Sequence, residues 1–228
     1  MPDHQTIYQE EAERYHRLIA KQPDLGEAIE ELFPPAGLDV VDLGAGSGRL
    51  TVPLAAKAKS IIALDASEAM LEVNAARLRH AGCTNWSTKV ADHRSLPLAD
   101  RSADLIVSGW SIGYLGDSRT RGWEQNIRRV IGEIKRVLRP GGAALVFETM
   151  GTGHETPHPP DFLQQYYAAL EKEYGFSYQW IRMDYRFESA GEAEELIRFF
   201  FGDELADEVA KRRLSVVPEC AGVWRLRL

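Results

Sequence analysis

Apolar and polar positions alternate along this chain in blocks that predict strands separated by amphipathic helices. Short runs at residues 40–43, 60–65, 86–90, 103–110 and 143–149, most of them nearly continuous in apolar residues, are typical of buried parallel strands. Between them, apolar residues recur at helical spacing, and the longest such helix ends before the breaker at 139–142. Successive strand–helix units require right-handed crossovers and a parallel sheet. The pattern therefore predicts an α/β, doubly wound fold.

The two ends of the chain also show helical spacing. Apolar residues recur every three or four positions within 8–19 and 25–33, which predicts two helices, the second opened by a capping box of Asp24 and Glu27. We interpret residues 1–35 as a helical cover over a cleft and residues 36–228 as the main domain. That domain carries a predicted helical insertion at about 189–214, between a strand at 178–187 and a last strand at 223–228. Packing against the core is the alternative role for both the cover and the insertion.

A turn with three alternate glycines follows the first predicted strand and leads into a helix. The glycines are Gly44, Gly46 and Gly48. Because glycine lacks Cβ and tolerates the φ values of tight turns, a ligand can lie against such a backbone, and the next helix points free N–H groups at it. The dinucleotide fingerprint G-x-G-x-x-G requires a small third residue, where this chain has the bulky Arg49. The turn alone leaves the cofactor class open, and a ligand-free turn is the structural alternative.

Polar residues follow the other predicted strands as well. Asp65 ends the second strand, where a carboxylate accepts hydrogen bonds from ribose hydroxyls; its alternative role is an N-cap. Asp92 follows the third strand and is suited to accept from the amine of adenine, or to satisfy turn N–H groups. Ser108 to Trp110 end the fourth strand. Since the carboxyl ends of parallel strands meet at one sheet edge, we expect these segments to form one cleft.

Composition and charge limit the kinds of partner that this chain is expected to bind. Its 228 residues are 44% apolar and 27% charged, as in a globular α/β protein, and its net charge of −7 argues against nucleic acid. No apolar run reaches the roughly 18 residues needed to span a bilayer, and the N-terminus does not resemble a secretion signal. Cys83 and Cys220 lie far apart, which favours free thiols in a reducing cytosol over a metal site. We expect a cytoplasmic protein without a membrane partner or a metal.

Five motifs, taken together, resemble the class I S-adenosylmethionine-dependent methyltransferases in their small-molecule branch. They are D-L-G-A-G-S-G at 42–48, Asp65, V-A-D-H at 90–93, S-L-P-L-A-D-R-S-A-D-L-I-V-S at 95–108 and I-K-R-V-L-R-P-G-G at 134–142. The resemblance covers roughly residues 38–149, about half of the chain. It implies a Rossmann-like sheet of seven strands, mostly parallel with an antiparallel last strand and helices on both faces.

The same resemblance implies where S-adenosyl-L-methionine binds. The cofactor would lie over residues 44–48, with its ribose on Asp65 and its adenine between Ala66, Met70 and the turn at 92–93. The candidate cofactor-binding residues are Asp42, Gly44, Ala45, Gly46, Gly48, Arg49, Asp65, Ala66, Met70, Asp92, His93, Ser108, Gly109 and Trp110.

The expected activity is in-line methyl transfer to a small molecule whose identity the sequence does not indicate. Such an enzyme positions the nucleophile and excludes water, and an aromatic face near the sulfonium adds cation–π attraction. Trp110 is the first candidate for that face. The candidate substrate-pocket residues are Tyr8, Tyr15, Tyr114 and His154. His154, on the loop at 150–160, is suited to proton transfer or is a solvent-exposed loop residue, and no catalytic residue is assigned.

Two other functions stay open at this point. One is a non-catalytic module that binds S-adenosylmethionine, and the other is a nicotinamide-dependent dehydrogenase. Arg49 in the glycine turn and the lack of a recognisable hydride-transfer constellation disfavour the dehydrogenase.

Overall fold

Helices and strands alternate through most of the chain, which a computed structural model describes over residues 3–228. In chain order the elements are α1 (His4–Glu10), α2 (Ala12–Ile19), α3 (Gly26–Leu32), β1 (Asp39–Leu43), α4 (Thr51–Ala55), β2 (Ser60–Asp65), α5 (Glu68–His80), β3 (Trp86–Val90), β4 (Ala103–Gly109), a short 3₁₀ turn (Ile112–Tyr114), α6 (Trp123–Val137), β5 (Leu138–Thr152), α7 (Asp161–Lys172), β6 (Ser177–Arg182), β7 (Tyr185–Arg186), α8 (Ala190–Phe201), α9 (Asp203–Arg212), β8 (Val216–Val217) and β9 (Glu219–Arg227).

One sheet organises the molecule, with the strand order β3-β2-β1-β4-β5-β9-β6 over the described residues. The pairs β1–β2, β2–β3, β1–β4 and β4–β5 are parallel, whereas β9 is antiparallel to both β5 and β6. The predicted seven-stranded, mostly parallel sheet with an antiparallel last strand is therefore confirmed. The strand order reverses between β1 and β4, and ligands bind outside the carboxyl ends of strands at such a switch point.

Helices cover both faces of this sheet. On one face, α6 and α7 pack through Ile127 and Tyr166. On the other face, α3, α4 and α5 pack through Ile29, Leu54 and Leu78, all of which are at most 1% exposed. Because side chains alternate between the two faces of a strand, central strands that are buried on both faces read as continuous apolar runs.

The N-terminal segment differs from its predicted form. It forms three helices where the spacing predicts two. A single residue separates the end of α1 at Glu10 from the start of α2 at Ala12. The expected capping box of Asp24 and Glu27 does not form. Instead, the Asp24 carboxylate accepts from the Gly26 N–H at 2.6 Å, and the N-cap position of α3 is occupied by Leu25.

The breaker at 139–142 ends α6 as predicted but is itself part of a strand. β5 begins at Leu138, which pairs with Ala103, and the Gly141 N–H donates to the Leu228 carbonyl. β9 likewise begins at Glu219, four residues before the expected start of the last strand. Sheet neighbours thus extend both strands beyond the limits that local turn residues predict.

The two end segments of the chain pack on each other. Leu18 of α2 lies in one apolar cluster with residues of α8, α9, β7 and β8. In addition, α1 is hydrogen-bonded to the start of α5, where the Ser67 hydroxyl donates to the Tyr8 carbonyl at 2.9 Å. The division of the chain into a cover (1–35) and a main domain (36–228) stays a prediction.

None of the helices formed by residues 3–228 combines the length and apolar character that crossing a bilayer requires. Within the same residues, no three His, Cys, Asp or Glu side chains are grouped as ligands of a metal ion would be.

Candidate functional site

The glycine turn between β1 and α4 requires glycine for two separate reasons. All three glycines have left-handed φ values: Gly44 at +68°, Gly46 at +51° and Gly48 at +90°. A Cβ on Gly44 would also collide with the Ser111 side chain, and one on Gly48 would come within 2.6 Å of Asn74 Oδ1. Because L side chains disfavour this backbone region and the neighbours leave no room, the turn tolerates no larger residue at these two positions.

Asp65, at the end of β2, is tied to the middle of that turn. Its Oδ2 accepts from the Gly46 N–H at 2.8 Å, and its Oδ1 accepts from the Ser67 N–H at 2.8 Å. The Ser67 hydroxyl, not Asp65, accepts from the Met70 N–H and caps α5. A Cβ on Gly46 would meet only Met70 Cε, at 3.5 Å. Since a carboxylate has about four acceptor sites, Asp65 retains capacity for ligand hydroxyls beside an open backbone.

Asp42 lies beneath the turn and not on its surface, since it is 1% exposed. Its Oδ2 accepts from the Thr51 hydroxyl at 2.6 Å, and the Asn74 amide donates to the same Thr51 oxygen at 2.9 Å. Burial raises the pKa of Asp42 to about 7. Asp42 therefore supports the turn from below, which corrects its assignment as a cofactor contact. Asn74 is a support that the sequence analysis missed, because a lone buried Asn on a helix gives no pattern.

The turn after β3 differs from the expectation for Asp92. Its carboxylate is exposed and paired with Arg94, with Nη2–Oδ2 at 2.6 Å and Nε–Oδ1 at 2.9 Å, and these hydrogen bonds lower the pKa of Asp92 to about 2. Asp92 also accepts from the Arg94 N–H, which is the turn role. The half-buried His93 ring approaches Gly44, and its Nδ1 has no hydrogen-bond partner within residues 3–228. The adenine contact stays a prediction.

The end of β4 packs closely against the glycine turn. The Ser108 and Ser111 hydroxyls lie 2.8 Å apart, and Ser111 donates to the Leu43 carbonyl at 3.0 Å. A Cβ on Gly109 would approach Leu50 Cδ1 to 3.1 Å, so this position favours glycine. These contacts fix β4 beside β1 at the switch point.

Trp110 adopts a left-handed backbone conformation, with φ at +52°, which is strained for a bulky residue. The guanidinium carbon of Arg49 lies 3.7 Å above its ring centroid. Phe147 stacks roughly parallel to the same ring, at 6.3 Å between centroids. Within the described residues the cation on the Trp110 ring is Arg49, and a contact between this ring and a sulfonium stays a prediction.

The guanidinium that stacks on Trp110 has a buried edge. Arg49 Nε and Nη2 are buried and have no hydrogen-bond partner in the described part of the chain. Burial lowers the pKa of this guanidinium, whereas Tyr185, Tyr15 and Glu219 raise it. Glu219, at the start of β9, is 2% exposed, and burial raises its pKa to about 7. The sequence analysis missed Glu219 and Tyr185, because no local motif marks either residue.

Five aromatic side chains from the N-terminal helices, the 3₁₀ turn and α8 form a cluster, which we call the aromatic cover. Its members are His4, Tyr8, Tyr15, Tyr114 and Phe200. The Tyr8 and Tyr114 hydroxyls lie 2.7 Å apart, the Tyr8 and Tyr15 rings 5.0 Å apart, and His4 stacks on Phe200 at 4.2 Å. Three of the four candidate pocket residues are thus brought together by α1, α2, α8 and the 3₁₀ turn.

His154, the fourth candidate pocket residue, has different neighbours. It is exposed, its ring stacks on His158 at 4.2 Å, and its carbonyl accepts from the Cys220 thiol. These contacts match the alternative of a loop histidine in solvent.

Comparison with known proteins gives the class of this chain. Residues 40–142 match the family described as a methyltransferase domain. This match covers a little under half of the chain, and together with the sheet order and the glycine turn it supports the class I S-adenosylmethionine-dependent methyltransferase family.

Individual relatives agree with that class. A malonyl-[acyl-carrier protein] O-methyltransferase of Methylococcus capsulatus is 36% identical over 143 residues, which are 60% of this chain and 47% of that protein. The match thus spans about half of that curated relative. A SAM-dependent methyltransferase from Aquifex aeolicus shares the fold, with a TM-score of 0.62, 15% identity, and 95% and 98% of the two chains covered. A phosphoethanolamine N-methyltransferase of Haemonchus contortus, solved with S-adenosylhomocysteine, has a TM-score of 0.54 and 20% identity. The match covers 93% of this chain and 44% of the other.

The cofactor of this family is S-adenosylmethionine, and the residues present fit it. The turn offers bare backbone at Gly46 with a single side-chain atom nearby, and the Asp65 carboxylate is held beside it. Buried N–H groups of Arg49 are left without partners in the part of the chain that the structure describes. When bound, the cofactor supplies an electrophilic methyl group on a sulfonium.

Proposed function

We propose that this protein transfers a methyl group from S-adenosylmethionine to a small molecule. The observation that carries the proposal is the bond between the Asp65 carboxylate and the Gly46 N–H at the switch point of the sheet. A carboxylate acceptor directly beside bare backbone supports the proposal, because an adenosine ligand requires an acceptor for its ribose hydroxyls at such a turn. The match of residues 40–142 to a methyltransferase domain supports the same reaction.

The chain itself performs two tasks in such a reaction, which are binding and the exclusion of water. Methyl transfer is an in-line displacement, so alignment of the two reactants and a dry site account for much of the rate. Asp65 and the turn at 44–48 hold the donor side. The N-terminal helices are tied to this same side, because the Ser67 hydroxyl donates to the Tyr8 carbonyl and His16 Nδ1 lies 3.2 Å from the Ser47 hydroxyl, and this supports a role of the aromatic cover in excluding water.

The expected binding pattern follows from this arrangement. We infer that the ribose binds Asp65 and that adenine lies between Ala66, Met70 and the turn at 92–93, next to the half-buried His93 ring. The acceptor is a small molecule that enters under the aromatic cover, since a net charge of −7 disfavours nucleic acid. A cytoplasmic location remains part of the proposal.

Calorimetry tests the cofactor class. S-adenosylhomocysteine is expected to bind the full chain with a micromolar dissociation constant, whereas NAD is expected to show no heat of binding. Tight binding of NAD and none of S-adenosylhomocysteine would identify a dehydrogenase and refute the proposal.

Mass spectrometry tests the reaction. The protein is incubated with S-adenosylmethionine and a panel of small metabolites, and the products are searched for a gain of one methylene mass. A methylated product establishes the transfer. Binding of S-adenosylhomocysteine without any product across phenols, carboxylates, amines and thiols would instead support a non-catalytic binding module.

A further inference from the structure

β6 is the edge strand of the sheet on the side of β9, and nearly all of its residues are exposed. In the part of the chain that the structure describes, it pairs with β9 and with no other strand. Its Trp180 is 43% exposed and its Tyr178 36% exposed, which is unusual for side chains of this size. An edge strand presents backbone N–H and C=O groups that can pair with a further strand. β6 therefore combines an open backbone edge with exposed aromatic rings.

The ladder between β6 and β9 determines which backbone groups point outward. The Met183 N–H donates to the Glu219 carbonyl at 2.8 Å, and this pair continues the register of the two strands, so it is a hydrogen-bonded pair. Along an antiparallel ladder, hydrogen-bonded and non-hydrogen-bonded pairs alternate. Tyr178, Trp180 and Arg182 therefore occupy non-hydrogen-bonded positions, and their N–H and C=O groups point away from β9.

The side chains of the same three residues lie on one face of the sheet, because every second residue of a strand points the same way. An aromatic stack runs along this face from the core to the edge. Tyr167 of α7 stacks on Trp224 with 4.5 Å between ring centroids, and Trp224 packs against Tyr178 at 5.0 Å. Trp180 and Arg182 follow Tyr178 along the strand. The stack thus ends at rings that are exposed to solvent.

β6 has few of the features that keep edge strands apart. Such features include proline, lysine and bulges. From Ser177 to Ile181, β6 contains no charged residue and no proline, and its pairing with β9 has no register shift. The opposite edge strand, β3, contains Lys89 near its end. β6 is therefore the edge of this sheet that is better suited to pair with a further strand.

Two β6 strands are complementary to each other when they pair antiparallel around a two-fold axis at Trp180. Trp180 then lies opposite Trp180 of the second copy, and Tyr178 lies opposite Arg182, so the outward N–H and C=O groups of all three residues are paired. Arg182 donates from Nε and Nη2 to Asp184, both at 2.9 Å. These bonds use the edge of the guanidinium, and its face is able to contact the Tyr178 ring as a cation–π pair.

We propose that β6 pairs with β6 of a second copy of this chain and joins the two sheets into one. This inference concerns assembly and goes beyond the proposed methyl transfer. The exposed parts of one Trp and one Tyr amount to on the order of 100 Å² each, whereas a standard interface buries roughly 800 Å² per partner. The dimer is therefore weak and depends on protein concentration. Because a two-fold contact uses the same surface of both copies, assembly stops at two chains.

Sedimentation velocity on the full chain tests the pairing, over concentrations from micromolar to submillimolar. The wild type is expected to change from the mass of one chain to that of two as its concentration rises. Trp180→Glu and Trp180→Lys each place two like charges opposite each other at the two-fold axis and remove apolar contact. Each variant is expected to weaken the dimer by about tenfold or more.

An equal mixture of the two variants supplies the specific readout. Glutamate and lysine then face each other at the axis, so the mixture is expected to dimerise several-fold more tightly than either variant alone. Neither the loss of apolar surface nor misfolding would produce this recovery. Val90→Glu and Val90→Lys are the matched controls, because Val90 is a large, exposed apolar residue on the opposite edge strand β3. They are expected to dimerise like the wild type.

Four results would overturn the inference. A wild type that stays a single chain at every concentration would exclude the pairing and leave this edge to an extended segment of another protein. A Trp180→Glu dimer as tight as the wild type, or an equal weakening by Val90→Glu, would place the contact elsewhere. A mixture no tighter than its single variants would contradict the axis at Trp180. Growth beyond two chains would contradict a two-fold contact.

Discussion

The glycine turn differs from the side chains of Arg49 and Glu219 in how its hydrogen-bonding groups are satisfied. In the turn, Gly44 N–H and Gly46 N–H both have acceptors, and each oxygen of Asp65 has a donor. By contrast, Arg49 Nε and Nη2 and Glu219 Oε2 are buried and have no hydrogen-bond partner within the described residues. A turn whose hydrogen bonds are complete within the protein is pre-formed for one constant ligand, whereas polar atoms without partners can bind different ligands. The turn is therefore complete without a ligand, whereas these buried polar atoms are not.

The largest expected effect tests how rigid the turn is. Gly44→Ala adds a Cβ against Ser111 at a φ of +68°, and we expect it to lower the free energy of unfolding by about 3–4 kcal/mol, from backbone strain and overpacking together. Gly37→Ala is the matched control, because Gly37 has a φ of +74° with no atom within 4 Å of its added Cβ. It is expected to cost only about 1–2 kcal/mol. Equal losses in urea unfolding would show that Ser111 moves aside.

The next effect compares two carboxylates at the cofactor edge. Asp65→Ala is expected to weaken S-adenosylhomocysteine binding by about 1.5–3 kcal/mol, because charged hydrogen bonds to the ligand are lost. Asp92→Ala is expected to cost less than about 1 kcal/mol, since Asp92 is exposed and paired with Arg94. Calorimetry on folded variants measures both. An unchanged dissociation constant for Asp65→Ala would remove Asp65 from the ribose site.

A pH series tests whether a buried carboxyl group titrates differently in the folded and the unfolded protein. Burial raises the pKa of Glu148 to about 8 in the folded protein, from a usual value of 4.5. Between pH 4.5 and 8 the unfolded chain therefore holds fewer protons than the folded one, and wild-type stability falls as pH rises. Glu148→Gln removes this contribution, so its stability relative to wild type is expected to increase on the order of 2 kcal/mol across that window.

Urea unfolding at pH 5, 6.5 and 8 measures this difference for Glu148→Gln. Glu219→Gln is expected to show the same trend over a window that ends near pH 7, where its own raised pKa lies. Parallel stability curves for variant and wild type would mean that the folded and unfolded carboxyl groups titrate alike.

The smallest effect concerns the aromatic cover. Tyr114→Phe removes hydroxyl contacts to Tyr8 at 2.7 Å and to His4 at 2.9 Å, but Tyr114 is 51% exposed, so we expect a cost below about 1 kcal/mol. Amide hydrogen exchange in residues 4–10 is expected to become a few-fold faster. Tyr178→Phe, on the edge strand β6, is the control and is expected to leave this exchange unchanged. No change in Tyr114→Phe would show that other contacts hold α1.

The donor side of the site could be predicted because its requirements are local. Left-handed φ values at 44, 46 and 48 require glycine, and Asp65 follows a strand whose carboxyl end must meet that of β1 in a parallel sheet. The surroundings of Arg49 and Glu219 could not be predicted in the same way. Glu219 lies at an end of β9 that the residue pattern places four positions too late, and the closed face of Trp110 depends on the position of the Arg49 side chain.

The sequence by itself determined the fold class, the alternation of strands and helices and the position of the glycine turn, because periodicity and glycine geometry act over a few neighbouring residues. Only the tertiary structure decided that Asp42 lies beneath the turn, that Arg49 stacks on Trp110, and that Leu18 of α2 packs with residues of α8 and α9. Those outcomes follow from side-chain packing between segments up to 200 residues apart, for which no local pattern exists.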